Sequence, residues 1–219
     1  MKVLLVNGSP HMQGCTFTAL AEVENKLKEE GIETEMHWIG KGDTPGCRSC
    51  RQCRHAGYCV LGDDVADVGR RLGEFEGYVF GAPVYYSGVA GQMSAWMDRL
   101  FFSAGGRMAG KPAAAVVSCR RAGATASLER FNQYFLINNM LVVGSQYWNE
   151  VHGNSPEEVA RDLEGLQIMR TLAQNMAWTL KCIAAGRKEG IQHPEHEPKV
   201  MTNFIRRSIP ATPSPGRTC

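Results

Sequence analysis

The sequence predicts an α/β protein, a five-stranded parallel sheet with helices on both faces. Three observations carry that prediction. Short apolar runs alternate five times with longer segments of helical periodicity. Two of the runs stop on Gly8-Ser9-Pro10 and Gly81-Ala82-Pro83, the punctuation of strands that open into loops. No internal repeat or second domain interrupts the 219 residues. Residues 1–186 therefore read as one domain with a cysteine-rich insertion at 40–62, followed by a tail at 187–219.

Lys2-Val3-Leu4-Leu5-Val6-Asn7 is a short apolar run and reads as a buried first strand. Over residues 16–30, Leu20, Val23 and Leu27 share one face opposite charges, the pattern of an amphipathic helix, and Gly31 closes it. Glu33 to Trp38 alternates polar and apolar residues, as a strand nearer the edge does. The insertion follows, bracketed by Gly40, Gly42, Pro45 and Gly46, and acidic Asp63-Asp64 suits the start of a helix. Tyr78-Val79-Phe80 reads as a third strand ended by Gly81-Ala82-Pro83. Met93, Trp96, Met97 and Leu100 then recur at helical spacing and belong to the core. Residues 112–118 form a fourth strand, 125–137 a helix, and Met140-Leu141-Val142-Val143 a fifth strand. Residues 156–185 read as one continuous helix, started by Pro156-Glu157-Glu158 and stopped by Gly186. The Pro-, Lys-, Arg- and His-rich remainder is expected to wrap the surface or a partner subunit.

Apolar residues make up 43% and charged residues 21%, the balance of an ordinary soluble domain. No apolar run approaches membrane-spanning length and no secretory leader layout opens the chain, so a cytoplasmic protein with no membrane partner is expected. A formal charge of +2 gives no general case for nucleic acid. In a reducing compartment thiols stay reduced, so a disulfide framework is the weakest reading of the eight cysteines.

In parallel sheets of this kind ligands bind at the carboxyl ends of the strands, which directs attention to three loops. After the first strand, Asn7 to Thr16 offers the hydroxyls of Ser9 and Thr16, permissive glycines, and free N–H groups at a helix start. Those parts bind a phosphate. The loop is neither a dinucleotide fingerprint nor a Walker loop, so a monophosphate fits best. After the third strand, Pro83 with Tyr85 and Tyr86 makes an aromatic ledge, and residues 87–91 expose backbone amides suited to a flat heteroaromatic ring. After the fourth strand, Ser118 to Thr125 carries Arg120 and Arg121, either of which can set positive charge beside a ring that becomes anionic when reduced.

Cys47, Cys50, Cys53 and Cys59 have the spacing C-x2-C-x2-C-x5-C. Two short gaps let thiolates converge on one small object and the longer gap lets the chain turn back over it. That suits a cubane [4Fe-4S] cluster better than structural zinc, which usually joins two separated ligand doublets. Arg48, Arg51, Arg54 and His55 lie among them, and positive charge stabilises thiolates. The alternative is an unliganded loop of reduced thiols. His193-Pro194-Glu195-His196-Glu197 looks like a ligand set, but its proline rules out a helical face and it reads as solvated tail. Tyr147-Trp148 with His152 is the one late constellation of interest.

Taken together, Asn7-Gly8-Ser9-Pro10 with Gly14-Cys15-Thr16, Gly81 to Tyr86, and Asp98-Arg99 resemble the flavodoxin-like NAD(P)H-dependent FMN reductase family over residues 1–185. The cysteine loop followed by Asp63-Asp64 is similar to its iron–sulfur flavoprotein branch. The resemblance implies a three-layer α/β/α fold with strand order 2-1-3-4-5. It implies an FMN phosphate on Ser9, His11, Gly14, Cys15 and Thr16. The isoalloxazine would lie against Pro83, Val84, Tyr85, Tyr86, Ser87 and Gly88 and the loop containing Ser118, Arg120 and Gly123. Family loops often carry Arg in place of His11 and Asn or Ser in place of Cys15, which leaves more of the binding to backbone donors. Two functions follow as expectations. One is an oxidoreductase passing electrons from NAD(P)H through FMN to a quinone, flavin or other small oxidant. The other is an electron carrier fed by a ferredoxin-like partner through a [4Fe-4S] cluster. No side chain need act as a covalent catalyst, and a homodimer or homotetramer is implied.

Overall fold

The computed structural model describes residues 1–198, 200 and 202. The expected tail beyond 202 lies outside the described residues. Strands β1 (Lys2–Asn7), β2 (Glu33–Trp38), β3 (Gly77–Tyr85), β4 (Gly88–Val89), β5 (Pro112–Cys119), β6 (Leu141–Val142) and β7 (Glu150–His152) form one sheet. Its main path runs β2-β1-β3-β5-β6, all parallel, with β4 paired to β3 and β7 to β5. β1 lies between β2 and β3, so the order reverses there and the ends of β1 and β3 open a crevice.

Strand periodicity divides the core. Leu4 and Val6 of β1 face one layer with Tyr78, Phe80, Ala113, Ala115 and Val117. Covering them are α3 (Asp64–Arg71), α4 (Gly91–Ala104) and α5 (Ala124–Ile137), whose Trp96, Met97, Leu100, Phe131 and Phe135 are fully buried. Val3 and Leu5 face the other layer, covered by α1 (Cys15–Glu29) and α7 (Leu163–Lys188) through Leu20, Val23, Met169 and Leu172. At Gly81 a Cβ would meet Leu20 Cδ1 at 2.7 Å, so a side chain there would push α1 off the sheet. Among the described residues no helix is long and apolar enough to cross a membrane.

Three boundaries differ from the sequence reading. The third strand does not stop at Gly81-Ala82-Pro83 but runs to Tyr85, because β5 stays beside it as far as Ser118, opposite Pro83. β1 has already ended opposite Gly81, so Pro83 sits beyond the three-strand ladder, where its missing N–H costs least. The fifth strand is split into β6 and β7, and with the short hairpin strand β4 this gives seven strands instead of five. Only Leu141–Val142 pairs at the start of β5; the chain leaves the sheet after Val143 and returns at Asn149, whose carbonyl accepts from Val117 N at 3.0 Å. The long helix is also two, α6 (Pro156–Val159) and α7, since the Asp162 side chain accepts from Gly165 N and starts a new helix. α7 then passes through Gly186 to Lys188, and Gly190, at φ +84°, ends it.

Edge strand β2 is tied down electrostatically. Glu35 accepts from both terminal nitrogens of Arg71 at 2.8 Å and from Lys2 Nζ at 2.6 Å. Hydrogen bonding from Arg71, then from Lys2, holds its carboxyl down to about 2. A depressed carboxyl contributes stability that is present above its unfolded value of 4.5 and lost as pH falls toward 2. Full conversion of that shift gives at most about 3 kcal/mol, and solvent around half-exposed Arg71 reduces it. Glu35→Gln is expected to lower stability at pH 7 and to flatten the acid limb of a pH–stability curve between pH 4.5 and 2; an unchanged acid limb would contradict the assignment.

Candidate functional site

The crevice at the switch point is an open pocket of about 680 Å³, its solvent-filled mouth included, to which all three predicted loops contribute. Ser9, His11, Cys15 and Thr16 come from the β1–α1 connection, Pro83, Val84 and Tyr85 from β3, and Ser118, Cys119 and Arg120 from the end of β5. Gly153 and Asn154, just after β7, close the side.

The first loop is built by its own hydrogen bonds. Buried Asn7 accepts from Ser9 N at 3.1 Å and donates to Met12 O at 3.1 Å. Ser9 Oγ accepts from His11 N at 3.1 Å, and Trp38 Nε1 donates to Ser9 O at 2.8 Å. These bonds hold the loop against the start of α1, where Gly14 is the cap and no side chain caps the helix. The start of α1 therefore has no capping side chain and presents the positive end of the helix dipole, an arrangement suited to an anion. Behind them Thr16 Oγ1 and Ser118 Oγ share a buried 2.8 Å hydrogen bond that ties α1 to β5. Gly14 supplies backbone and does not line the pocket.

Both pocket thiols are neutral at pH 7. Burial pushes the Cys15 thiol up, with help from Glu158 and Glu157. Burial also pushes Cys119 up, with help from Glu150. A neutral Cys15 does not repel an anion at the helix end, and neither thiol is activated as a nucleophile.

The second loop is a hairpin that the sequence reading lacked. Val84 pairs with Val89 and Tyr85 with Gly88, leaving Tyr86 and Ser87 as a two-residue turn. Both have positive φ, 50° and 58°, the geometry of a type I′ turn usually built from Gly or Asn. Two ordinary side chains held there store roughly 1–2 kcal/mol each, the kind of strain found at ligand clamps. Neither tyrosine anchors the loop in the core: Tyr85 lines the pocket mouth and Tyr86 is fully exposed. Tyr86, Ser87 and Gly88 form the hairpin tip and do not line the pocket. Gly123 acts through contact, since at φ +89° a Cβ would meet Ser87 Cα at 2.7 Å and Val84 Cγ1 at 2.9 Å. Gly123→Ala is expected to cost about 1–3 kcal/mol, read as a lower denaturant midpoint. A midpoint equal to wild type would show that the hairpin is not clamped there.

Of the two arginines after β5, Arg120 lines the pocket and Arg121 does not. Cys119, Gly153 and Asn154 were missed. The signal for the last two was Gly-Asn-Ser-Pro before a helix, obscured by treating the fifth strand as ended at Val143.

A second pocket is lined by all four insertion cysteines together with Arg48, Arg51, Val60, Leu61, Arg99, Phe102 and Ser103. The insertion is short turns and one helix, α2 (Cys53–Ala56), capped by left-handed Gly57, which turns the chain back to Cys59. Ser49 and Arg51 adopt positive φ, 53° and 60°, between the first three cysteines. One face of α4 carries the insertion: Gln92 Nε2 donates to Gly40 O at 2.8 Å, and Arg99 reaches Pro45 O, Asp63 and Cys59. The sulfurs influence one another. Burial pushes the Cys53 thiol up, and Cys50, Cys59 and Cys47 add to it. They are not drawn in to a single-ion distance: among the described residues no three His, Cys, Asp or Glu converge on one metal ion. The remaining arginine and the histidine of the loop, Arg54 and His55, are exposed. Tyr147 and Trp148 form an exposed edge-to-face pair at 4.7 Å, neither of them in the first pocket.

Comparison with known proteins places this geometry. A family model described as NADPH-dependent FMN reductase matches residues 1–155. An iron-sulfur flavoprotein of Methanocaldococcus jannaschii is 32% identical over 193 residues, covering 84% of this chain and 99% of its own. Another from Methanosarcina thermophila is 28% identical, covering 85% and 99%. Among solved structures, RosB with a bound riboflavin-5'-phosphate derivative superposes with TM-score 0.66 at 13% identity over 95% of each chain. An archaeal flavodoxin gives 0.56 at 16% identity, over 83% of this chain and 99% of its own. At those identities the structures show the fold, which is flavodoxin-like as the resemblance implied. The chain belongs to the NADPH-dependent FMN reductase family, in the branch it shares with the iron-sulfur flavoproteins.

Proposed function

We propose that this chain is an FMN-dependent electron-transfer oxidoreductase whose cysteine quartet holds a [4Fe-4S] cluster. The observation that carries it is the pairing of two pockets in one domain, one built for a phosphorylated ring and one lined by four cysteines. In the first, the α1 N-terminus with Ser9, His11 and Thr16 would bind the phosphate. Pro83, Val84 and Tyr85 on one side and Ser118 to Arg120 on the other would flank the isoalloxazine. Arg120 sets positive charge where a reduced ring carries negative charge. In the second, four thiols spaced C-x2-C-x2-C-x5-C around one pocket suit a cubane core better than structural zinc, which usually joins two separated doublets. Arg48, Arg51 and Arg99 would offset the charge of the thiolates, and Val60 and Leu61 would supply apolar wall. When bound, FMN exchanges one or two electrons and the cluster one, so the chain's own task is to hold, orient and shield them.

A second reading, NAD(P)H as the direct donor with a small oxidant as acceptor, is favoured by the family description and by the half-exposed Tyr85 at the pocket mouth. Anaerobic reduction separates the two. A reduced ferredoxin-like protein is expected to bleach the flavin at least about a hundredfold faster than NADH or NADPH. The reverse order would select the reductase. Self-association is part of the proposal: exposed Phe102, Leu136, Ile137, Leu141 and Val142 are apolar surface of the kind oligomers cover. Sedimentation should give a dimer or tetramer, and a monomer would remove that part.

A further inference from the structure

We propose that Arg99 is the positioning residue of the cysteine site: its buried guanidinium, held by Asp63, donates to the Cys59 sulfur and raises the reduction potential of the cluster. The inference rests on the proposed reading of the quartet as an iron–sulfur site.

Arginine is almost never fully buried unless its charge is matched, yet Arg99 is 1% exposed. Its fork is used on both sides. Nη1 and Nη2 each meet an Asp63 oxygen at 2.6 Å, a bidentate pair. Nε and Nη2 meet Cys59 Sγ at 3.4 and 3.2 Å, and Nη1 also reaches Pro45 O at 3.4 Å. Every guanidinium nitrogen is therefore engaged, and two of the three address the sulfur. The helix does not demand this residue. Trp96, Met97 and Leu100 around it are buried and apolar, and a leucine or methionine at 99 would join them in the core. The pocket's other cations, Arg48 and Arg51, lie on exposed loop where solvent screens them. Arg99 is the pocket's buried cation and its orientation is fixed.

A hydrogen bond to a cluster sulfur and an unscreened positive charge both favour the reduced, more negative state, and so raise the potential. Asp63 fixes the fork and partly cancels its charge. The two residues must therefore move the potential in opposite directions when neutralised, an outcome that mere structural support does not produce. Asp63 stands at the N-cap of α3 without a side-chain cap hydrogen bond, so Asn, an equally favoured residue there, removes none.

The test is a redox titration of anaerobically prepared wild type, Arg99→Gln, Arg99→Lys and Asp63→Asn, with iron and flavin assayed in each. Arg99→Gln is expected to shift the reduction equilibrium at least tenfold toward the oxidised state, about 59 mV for one electron. Asp63→Asn should shift it the other way, and Arg99→Lys, which keeps the charge without the fork, should fall between wild type and Arg99→Gln. If both Arg99 variants lose their iron, Asp63→Asn decides: a raised potential supports the inference and an unchanged or lowered one overturns it. Wild type that holds iron while all variants share its potential leaves the cluster reading standing and overturns the role of Arg99. Wild type without iron removes the cluster reading and the inference with it.

Discussion

Cys50→Ser protein prepared without oxygen is expected to lose most of its iron, falling from about four atoms per chain, the content of one cubane, to below about one. Serine preserves size but supplies no thiolate, and three ligands leave one corner of the core open. Cys50 is the sharpest choice because it lies between left-handed Ser49 and Arg51 in an exposed loop, where the substitution disturbs no core packing. Flavin content should stay near that of wild type, since none of the pocket residues after β1, β3 and β5 belongs to the insertion. Cys182→Ser is the control: that cysteine is exposed on α7, far along the chain from the quartet, and its loss should leave iron unchanged. Equal iron in Cys50→Ser and wild type would show that the quartet is a reduced thiol loop.

The second large effect concerns the phosphate. Thr16→Val with Ser9→Ala is expected to weaken FMN by about a hundredfold or more. A hydrogen bond to a charged group contributes about 1.5–3 kcal/mol, and every 1.4 kcal/mol is tenfold. Ser9 and Thr16 are almost fully buried beside the open helix end, so their hydroxyls cannot be replaced freely by water. Thr16→Val also breaks the 2.8 Å contact with Ser118 and loosens α1 against β5. Riboflavin distinguishes the two effects. It lacks the phosphate, so its weaker binding should change little in the double variant, and the FMN preference should collapse. Equal losses for both ligands would mean that the pocket has deformed and that the phosphate lies elsewhere.

Much of this arrangement was legible because it is local. Val3 to Val6 stop at Gly8-Ser9-Pro10, and a strand, a loop and a helix start follow within ten residues. The three loops that meet in the pocket were found from strand ends alone, since parallel sheets gather those ends on one edge. The misread parts depend on distant neighbours. Gly81-Ala82-Pro83 has the composition of a strand end, yet β5 beside it carries the strand on to Tyr85. The hairpin turn at Tyr86-Ser87 has no Gly or Asn to announce its positive φ values. Asn149 rejoins the sheet by bonding Val117, a partner that no window around residue 149 contains. Arg99 is the clearest case. In sequence Asp98-Arg99 carries a family resemblance but no role; in the fold Arg99 is buried against Asp63 and Cys59, 36 and 40 residues away.

The central claim is that one domain holds a flavin at the switch point and an iron–sulfur group in the insertion. Flavin, iron and acid-labile sulfide assayed together on protein purified under strict anaerobiosis test it most directly. About one FMN, four iron and four sulfide per chain are predicted, with FMN returning on reconstitution of stripped protein. Colourless protein that takes up neither FMN nor iron and sulfide would contradict it.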